Sequence, residues 1–164
     1  MAVTTQYSTE YTNAYQTTPV VNNNTTEQAG RLRVAFFTHD QDGAGDANST
    51  VTLVKLPAGR VRIIGGLSRF YCNWVTGSQT MDIGWDAFTA QDGTTTAADA
   101  DGLVDGLDVD TVGYFSMESA LAAEKATGGT HLFESRDGVT IVAKAIAALA
   151  DGDDLVGYIT YVID

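Results

Sequence analysis

The sequence predicts an all-β fold: an antiparallel β-sandwich of jelly-roll-like type, with one short helix and an extended N-terminal arm. Three observations carry that prediction. Short segments with period-two alternation recur between Gly- and Asp-rich turns from residue 31 onward. The 17 glycines, together with abundant Thr and Val, suit short strands and tight turns. One stretch alone, Met117 to Ala126, has the Ala, Leu and Glu content of a helix.

The first 30 residues contain no Lys or Arg, and their apolar runs are confined to the neighbourhood of Val20 and Val21. Such a segment cannot bury enough apolar surface to offset its lost chain entropy. Residues 1–30 are therefore read as an extended arm lying on a partner, and residues 31–164 as the β-sandwich domain. Tyr7, Tyr11 and Tyr15 recur every four residues, but the density of Thr argues against a helix. A tyrosine ring with its hydroxyl suits anchoring at an interface. An extended arm can also add as a strand to a neighbour's sheet.

Alternation begins at Arg31, with Arg31 and Arg33 on one face and Leu32, Val34 and Phe36 on the other, taken as the core face. Turn chemistry from His39 to Asn48 ends this strand. Thr50 to Leu56 is the next, stopped by Pro57-Ala58-Gly59. Arg60 to Phe70 alternates again, with Val61 and Ile63 opposed to Arg60 and Arg62. Gly65-Gly66 in its middle calls for a bulge or a close backbone approach.

Thr80 to Ala87 is the cleanest alternation: Met81, Ile83, Trp85 and Ala87 face the core, with Asp82, Gly84 and Asp86 toward water. The acidic, Gly-rich stretch from Gln91 to Asp110 reads as solvated turns. Ser116 is a fitting N-cap for the helix, and Gly128-Gly129 stops it. The C-terminal strands are His131 to Ser135, Val139 to Ala145 and Leu155 to Ile163. Arg136-Asp137-Gly138 reads as a hairpin turn between the first two. Lys144 to Ala150 is read as strand plus loop, a helix being the alternative.

Little here suggests catalysis. His39 sits in an Asp/Gly loop and His131 at a strand start, neither beside a nucleophile motif. Cys72, the only cysteine, lies between Tyr71 and Trp74 and reads as a buried, inert thiol. The carboxylates from Asp82 to Asp110 sit among Gly, Ala and Thr, without the apolar pocket that glycoside hydrolysis requires. Asp40-Gln41-Asp42-Gly43 and Asp99-Ala100-Asp101-Gly102 resemble calcium-loop fragments. Both lack the first and last ligands of an EF-hand and its flanking helices, leaving at most an irregular oxygen site. No Cys/His cluster suggests zinc, so the expectation is no enzyme, no metal and no cofactor.

The net charge of −12 disfavours nucleic acid as a partner. No run of about 20 apolar residues suggests a membrane span. No secretory signal follows Met1, so the sequons at Asn23, Asn24 and Asn48 carry no weight. Six of the nine basic residues fall between Arg31 and Arg69, with none from Phe70 to Glu124. Arg31, Arg33, Arg60 and Arg62 either solubilise strand faces and blunt an edge, or form a basic face that docks on an acidic partner.

The run Ser49-Thr50-Val51-Thr52-Leu53-Val54-Lys55-Leu56-Pro57-Ala58-Gly59-Arg60-Val61-Arg62-Ile63 resembles small structural proteins of tailed phages. So do Met81-Asp82-Ile83-Gly84-Trp85 and Asp99-Ala100-Asp101-Gly102-Leu103. The endings Asp137-Gly138-Val139-Thr140-Ile141 and Gly157-Tyr158-Ile159-Thr160-Tyr161-Val162 continue the pattern. The family in question is the capsid decoration, or cement, proteins of tailed bacteriophages. The resemblance implies a non-enzymatic β-sandwich, made in the host cytoplasm and bound as trimers to major capsid protein on the outer face of the virion head. It assigns no docking residues. On charge and alternation, Tyr7, Tyr11, Tyr15, Arg31, Arg33, Arg60 and Arg62 are the expected capsid-binding set. The alternative is a tail or head-fibre component, or a carbohydrate-binding adsorption module stacking sugars on Trp74, Trp85 or Tyr71.

Overall fold

A computed structural model of the chain describes residues 17–19, 31–74, 77–118 and 129–163. Its strands, in chain order, are β1 (Leu32–Asp40), β2 (Thr50–Leu56), β3 (Gly59–Ile64), β4 (Arg69–Cys72), β5 (Thr80–Trp85), β6 (Phe88–Thr89) and β7 (Thr95–Thr96). They continue with β8 (Asp99–Asp108), β9 (Gly113–Ser116), β10 (Thr130–Ser135), β11 (Val139–Ala145) and β12 (Asp154–Ile163). Among the described residues all pairings are antiparallel.

In the six-stranded sheet β12 is central. Along one side it pairs with the whole of β1, from Leu32 opposite Val162 to Asp40 opposite Asp154. Along its other side it pairs first with β4 and then with β3. Beyond these lie β9, paired with β4, and β10, paired with β3. The facing four-stranded sheet has the order β2-β11-β5-β8. Counted as interrupted single strands, β3/β4 and β9/β10 complete two four-membered layers, and the chain crosses between layers at nearly every connection. This is a jelly roll.

The two interruptions coincide. Gly65–Leu67 forms a single 3-10 turn between β3 and β4. The Gly65 N–H donates to the Gly129 carbonyl at 3.0 Å, and the Met117 N–H to the Ser68 carbonyl at 3.0 Å. A Cβ on Gly65 would lie 2.7 Å from the Met117 carbonyl oxygen, so the expected close backbone approach is present, at a turn rather than a bulge. The turn leaves β12 without a strand partner at one amide. The buried Ser68 hydroxyl fills the gap, accepting the Thr160 N–H at 2.9 Å and donating to the Ile64 carbonyl at 2.9 Å. Buried backbone donors need such partners, because water cannot reach them.

The core lies between the layers. Leu56, Val61, Ile63, Phe70, Trp74, Met81, Ile83, Ile141, Leu155 and Ile159 are among its buried side chains. Burial of a large apolar side chain stabilises by roughly 1.5–3 kcal/mol relative to exposure. Trp85 joins them beneath Gly102, where any Cβ would collide with its ring. Its indole N–H donates to the Ala97 carbonyl at 3.2 Å.

Several expectations need correction. Residues 91–110 are not merely turns: they hold β7 and the ten-residue β8, whose acids sit on an edge strand while Leu103 and Val104 reach the core. Arg136-Asp137-Gly138 does not close a hairpin, because β10 and β11 belong to different layers and the turn carries the chain between them. Ala87 is exposed beyond the end of β5. Asp82 is buried rather than solvated; it accepts the Gly106 N–H at 2.9 Å and stands 3.8 Å from the Lys144 ammonium. Ser116 ends strand β9 instead of capping a helix, and the expected helical residues 119–126 lie outside the described residues.

Candidate functional site

The alternation of β1 runs opposite to expectation. Phe37 is buried, whereas Leu32, Val34 and Phe36 are 61%, 45% and 76% exposed. Arg33 therefore shares the core side of β1 with Phe37, exposed only because it lies toward the strand's end, and Arg31 precedes the strand. The physical reason is local. The register places Phe37 opposite Gly157 and Gly157 opposite the buried Phe70, so Phe37 stands on the same side of the sheet as Phe70 and faces the core.

The outer face of the six-stranded sheet consequently collects apolar side chains. Register puts Phe36 beside Tyr158, Tyr158 beside Arg69, Val156 beside Tyr71 and Tyr71 beside Tyr114. Phe36 meets Tyr158 edge-on, with ring centroids 5.8 Å apart at 62°. Tyr71 meets Tyr114 in the same manner, at 5.5 Å and 60°. Together with Val156 and Arg69 these rings line an open depression of about 420 Å³. Gly157 also lines it.

No acid lines the depression, and Arg69 makes no ion pair among the described residues. Of the eight exposed large hydrophobics among the described residues, Leu32, Val34, Phe36, Tyr114 and Val156 stand on this one face. Scattered exposed apolar residues are ordinary, but a contiguous patch marks an interaction surface. In a chain of net charge −12, the depression is a stretch of surface with no carboxylate in its described lining.

The expected docking residues are placed as follows. Tyr7, Tyr11 and Tyr15 lie outside the described residues. Arg60 and Arg62 are on the outer face, across β12 from Leu32 rather than at the depression. Arg60 is paired with Glu134 at 2.5 Å, and Arg62 donates to the Thr130 hydroxyl at 3.4 Å. The arginines thus form no common basic face. Sequence reasoning missed Phe36, Arg69, Tyr114, Val156 and Tyr158. The available signal was the aromatic content of the strand-end segments, which alternation alone assigned to the interior.

Other chemistry finds little support. Cys72 is fully buried, and that burial pushes its thiol up to about 11. His131 packs against Trp85 at 4.8 Å and Phe133 at 4.5 Å, and burial holds its pKa below the usual histidine range. Asp99 is raised above the usual carboxylate range, first by its hydrogen bond with Asp101. Among the described residues no three metal-ligating side chains converge. Trp74 is fully buried and Trp85 nearly so, so neither offers a face for stacking a sugar; Tyr71 does lie on the outer face. Among the described residues no helix is long and apolar enough to cross a membrane.

No protein-family model and no curated protein matches the sequence. Solved structures do resemble it. A chain of the cyanophage Pam1 capsid asymmetric unit overlays with a TM-score of 0.53 at 12% identity, over 82% of this chain and 86% of that one. The shared feature is the fold. A chain of the acid-stable capsid of Helicobacter pylori bacteriophage KHP30 gives 0.36 at 13% identity, over 80% of this chain and 87% of that one. A chain of infectious bursal disease virus, Gt strain, gives 0.43 at 13% identity, over 81% of this chain and 32% of that one.

Proposed function

We propose that this chain is a virion structural protein that binds the outer surface of a phage icosahedral capsid and bridges adjacent major capsid protein subunits. The observation that carries the reading is the aromatic outer face of the β1–β12–β4–β9 layer, whose depression has Arg69 and no acid in its lining, on a jelly roll of net charge −12. The Pam1 likeness supports it at the level of fold, and the motif resemblance to cement proteins supports it at the level of sequence. The same resemblance implies trimers.

The mechanism is mass action. A protein that binds the assembled shell but not separated subunits stabilises the shell by its binding free energy. Repetition at symmetry-related positions multiplies a modest gain per copy. The aromatic face supplies the buried contact, and residues 1–30 act as an arm that extends the attachment beyond the domain at 31–164.

The test is co-sedimentation of purified protein with phage heads lacking it. Heads should take up the wild-type chain to saturation and open at a higher temperature once decorated. Failure to bind heads at micromolar concentrations would reject the reading. Binding instead to host-surface glycans, lost on Tyr71→Ala, would favour the adsorption module.

A further inference from the structure

The sheet edges are treated unequally. Edge strand β8 carries Asp99, Asp101, Asp105 and Asp108, and its pairing with β5 slips twice in register. The edge of β10 is covered by the β6–β7 ribbon, with the Gln91 N–H donating to the Glu134 carbonyl at 3.2 Å and the Arg136 N–H to the Thr89 carbonyl at 2.9 Å. Edge strand β9 is only four residues long. Each is a recognised way to stop unwanted strand addition. β1 is the least protected of these edges. It is nine residues long, its register with β12 is unbroken, and the run Leu32, Val34, Phe36 and Thr38 on its outer face is uncharged, with charges only toward its ends at Arg33 and Asp40. Among the described residues it pairs with β12 alone.

The chain holds a segment that matches this edge. In an extended strand, residues separated by even numbers share a face, so Tyr7, Tyr11 and Tyr15 project together. Residues 7–15 span the same number of positions as β1, about 30 Å in extended form. Seated along β1, they would continue the row of Leu32, Val34 and Phe36 with a row of rings. Cross-strand aromatic and apolar neighbours of that kind stabilise a sheet. The segment carries one acid, Glu10, and no base. Fully extended, residues 16–31 would span about 50 Å.

We propose that residues 7–15 of a second copy add as a strand to the free edge of β1, tyrosines outward, linking neighbouring copies through their arms. This rests on the shell-binding reading, in which copies stand side by side and an exchanged arm connects them.

Mixing is the test. Full-length Tyr11→Cys protein is combined with full-length Val34→Cys protein under mild oxidation, with Val112→Cys as the control partner. The buried Cys72 does not compete. The expected result is a disulfide-linked pair containing both variants, at about tenfold the control yield, as the high local concentration of a docked arm requires. A Tyr11→Cys/Val34→Cys double variant that links only within one chain overturns the proposal, as does the absence of any link above control. Head binding by the wild-type chain is measured separately. Binding without the inter-copy link sinks arm exchange alone, whereas the link without binding sinks the capsid reading alone.

Discussion

The Ser68 hydroxyl accepts the Thr160 backbone N–H at 2.9 Å, at the point where β12 changes partner from β4 to β3. A side chain here completes a ladder that the backbone leaves open. Thr160 returns the favour, its hydroxyl donating to the Leu67 carbonyl at 2.9 Å. Ser68→Ala should lower unfolding stability by about 1–3 kcal/mol, the usual cost of a stranded buried donor. Urea denaturation of the two proteins checks it; equal midpoints would show that the hydroxyl is dispensable.

Phe36→Asp separates docking from folding. The side chain is 76% exposed, so stability should change by no more than about 0.5 kcal/mol. Head binding should fall by at least about tenfold, since a charge is placed at the centre of an apolar contact. Co-sedimentation and thermal melting together read both effects.

Cys72 should resist thiol reagents in the folded protein at neutral pH. Only the thiolate reacts, and burial both hides the sulfur and pushes its pKa to about 11. Absorbance-based thiol titration should show no reaction until denaturant is added, then one equivalent per chain.

His131 makes stability depend on pH in the acid range. Its folded pKa is lowered by burial, so the unfolded chain binds a proton more readily. The contribution is absent above the unfolded value of about 6.5, and stability declines as pH falls from there through the folded value. His131→Gln should flatten that part of the profile. Unfolding midpoints at pH 7.5 and 5.0 provide the comparison.

The strands most legible in the sequence are those with both faces specified. Met81, Ile83 and Trp85 announce β5, and the paired apolar runs of β11 and β12 declare themselves as buried ladders. Layer membership was less legible. Gly138 looks like a hairpin turn, yet what demands glycine there is the close passage of the Leu56 carbonyl, a contact from a distant strand. β8 was hidden because an edge strand defends itself with the same acids that mark a loop. β1 misled for the converse reason: an apolar stripe looks the same whether it meets its own core or a partner. Only the position of Phe37 opposite Gly157 decides which side faces inward, and that pairing joins opposite ends of the chain.

That pairing also governs how the protein can be made. β12 binds β1, β3 and β4 at once, so none of the three can settle into its layer while the ribosome is still short of residue 154. Until then the nascent chain carries β1 with both flanks open, and a chain cut off upstream of β12 would leave a fragment inclined to aggregate rather than a smaller working protein.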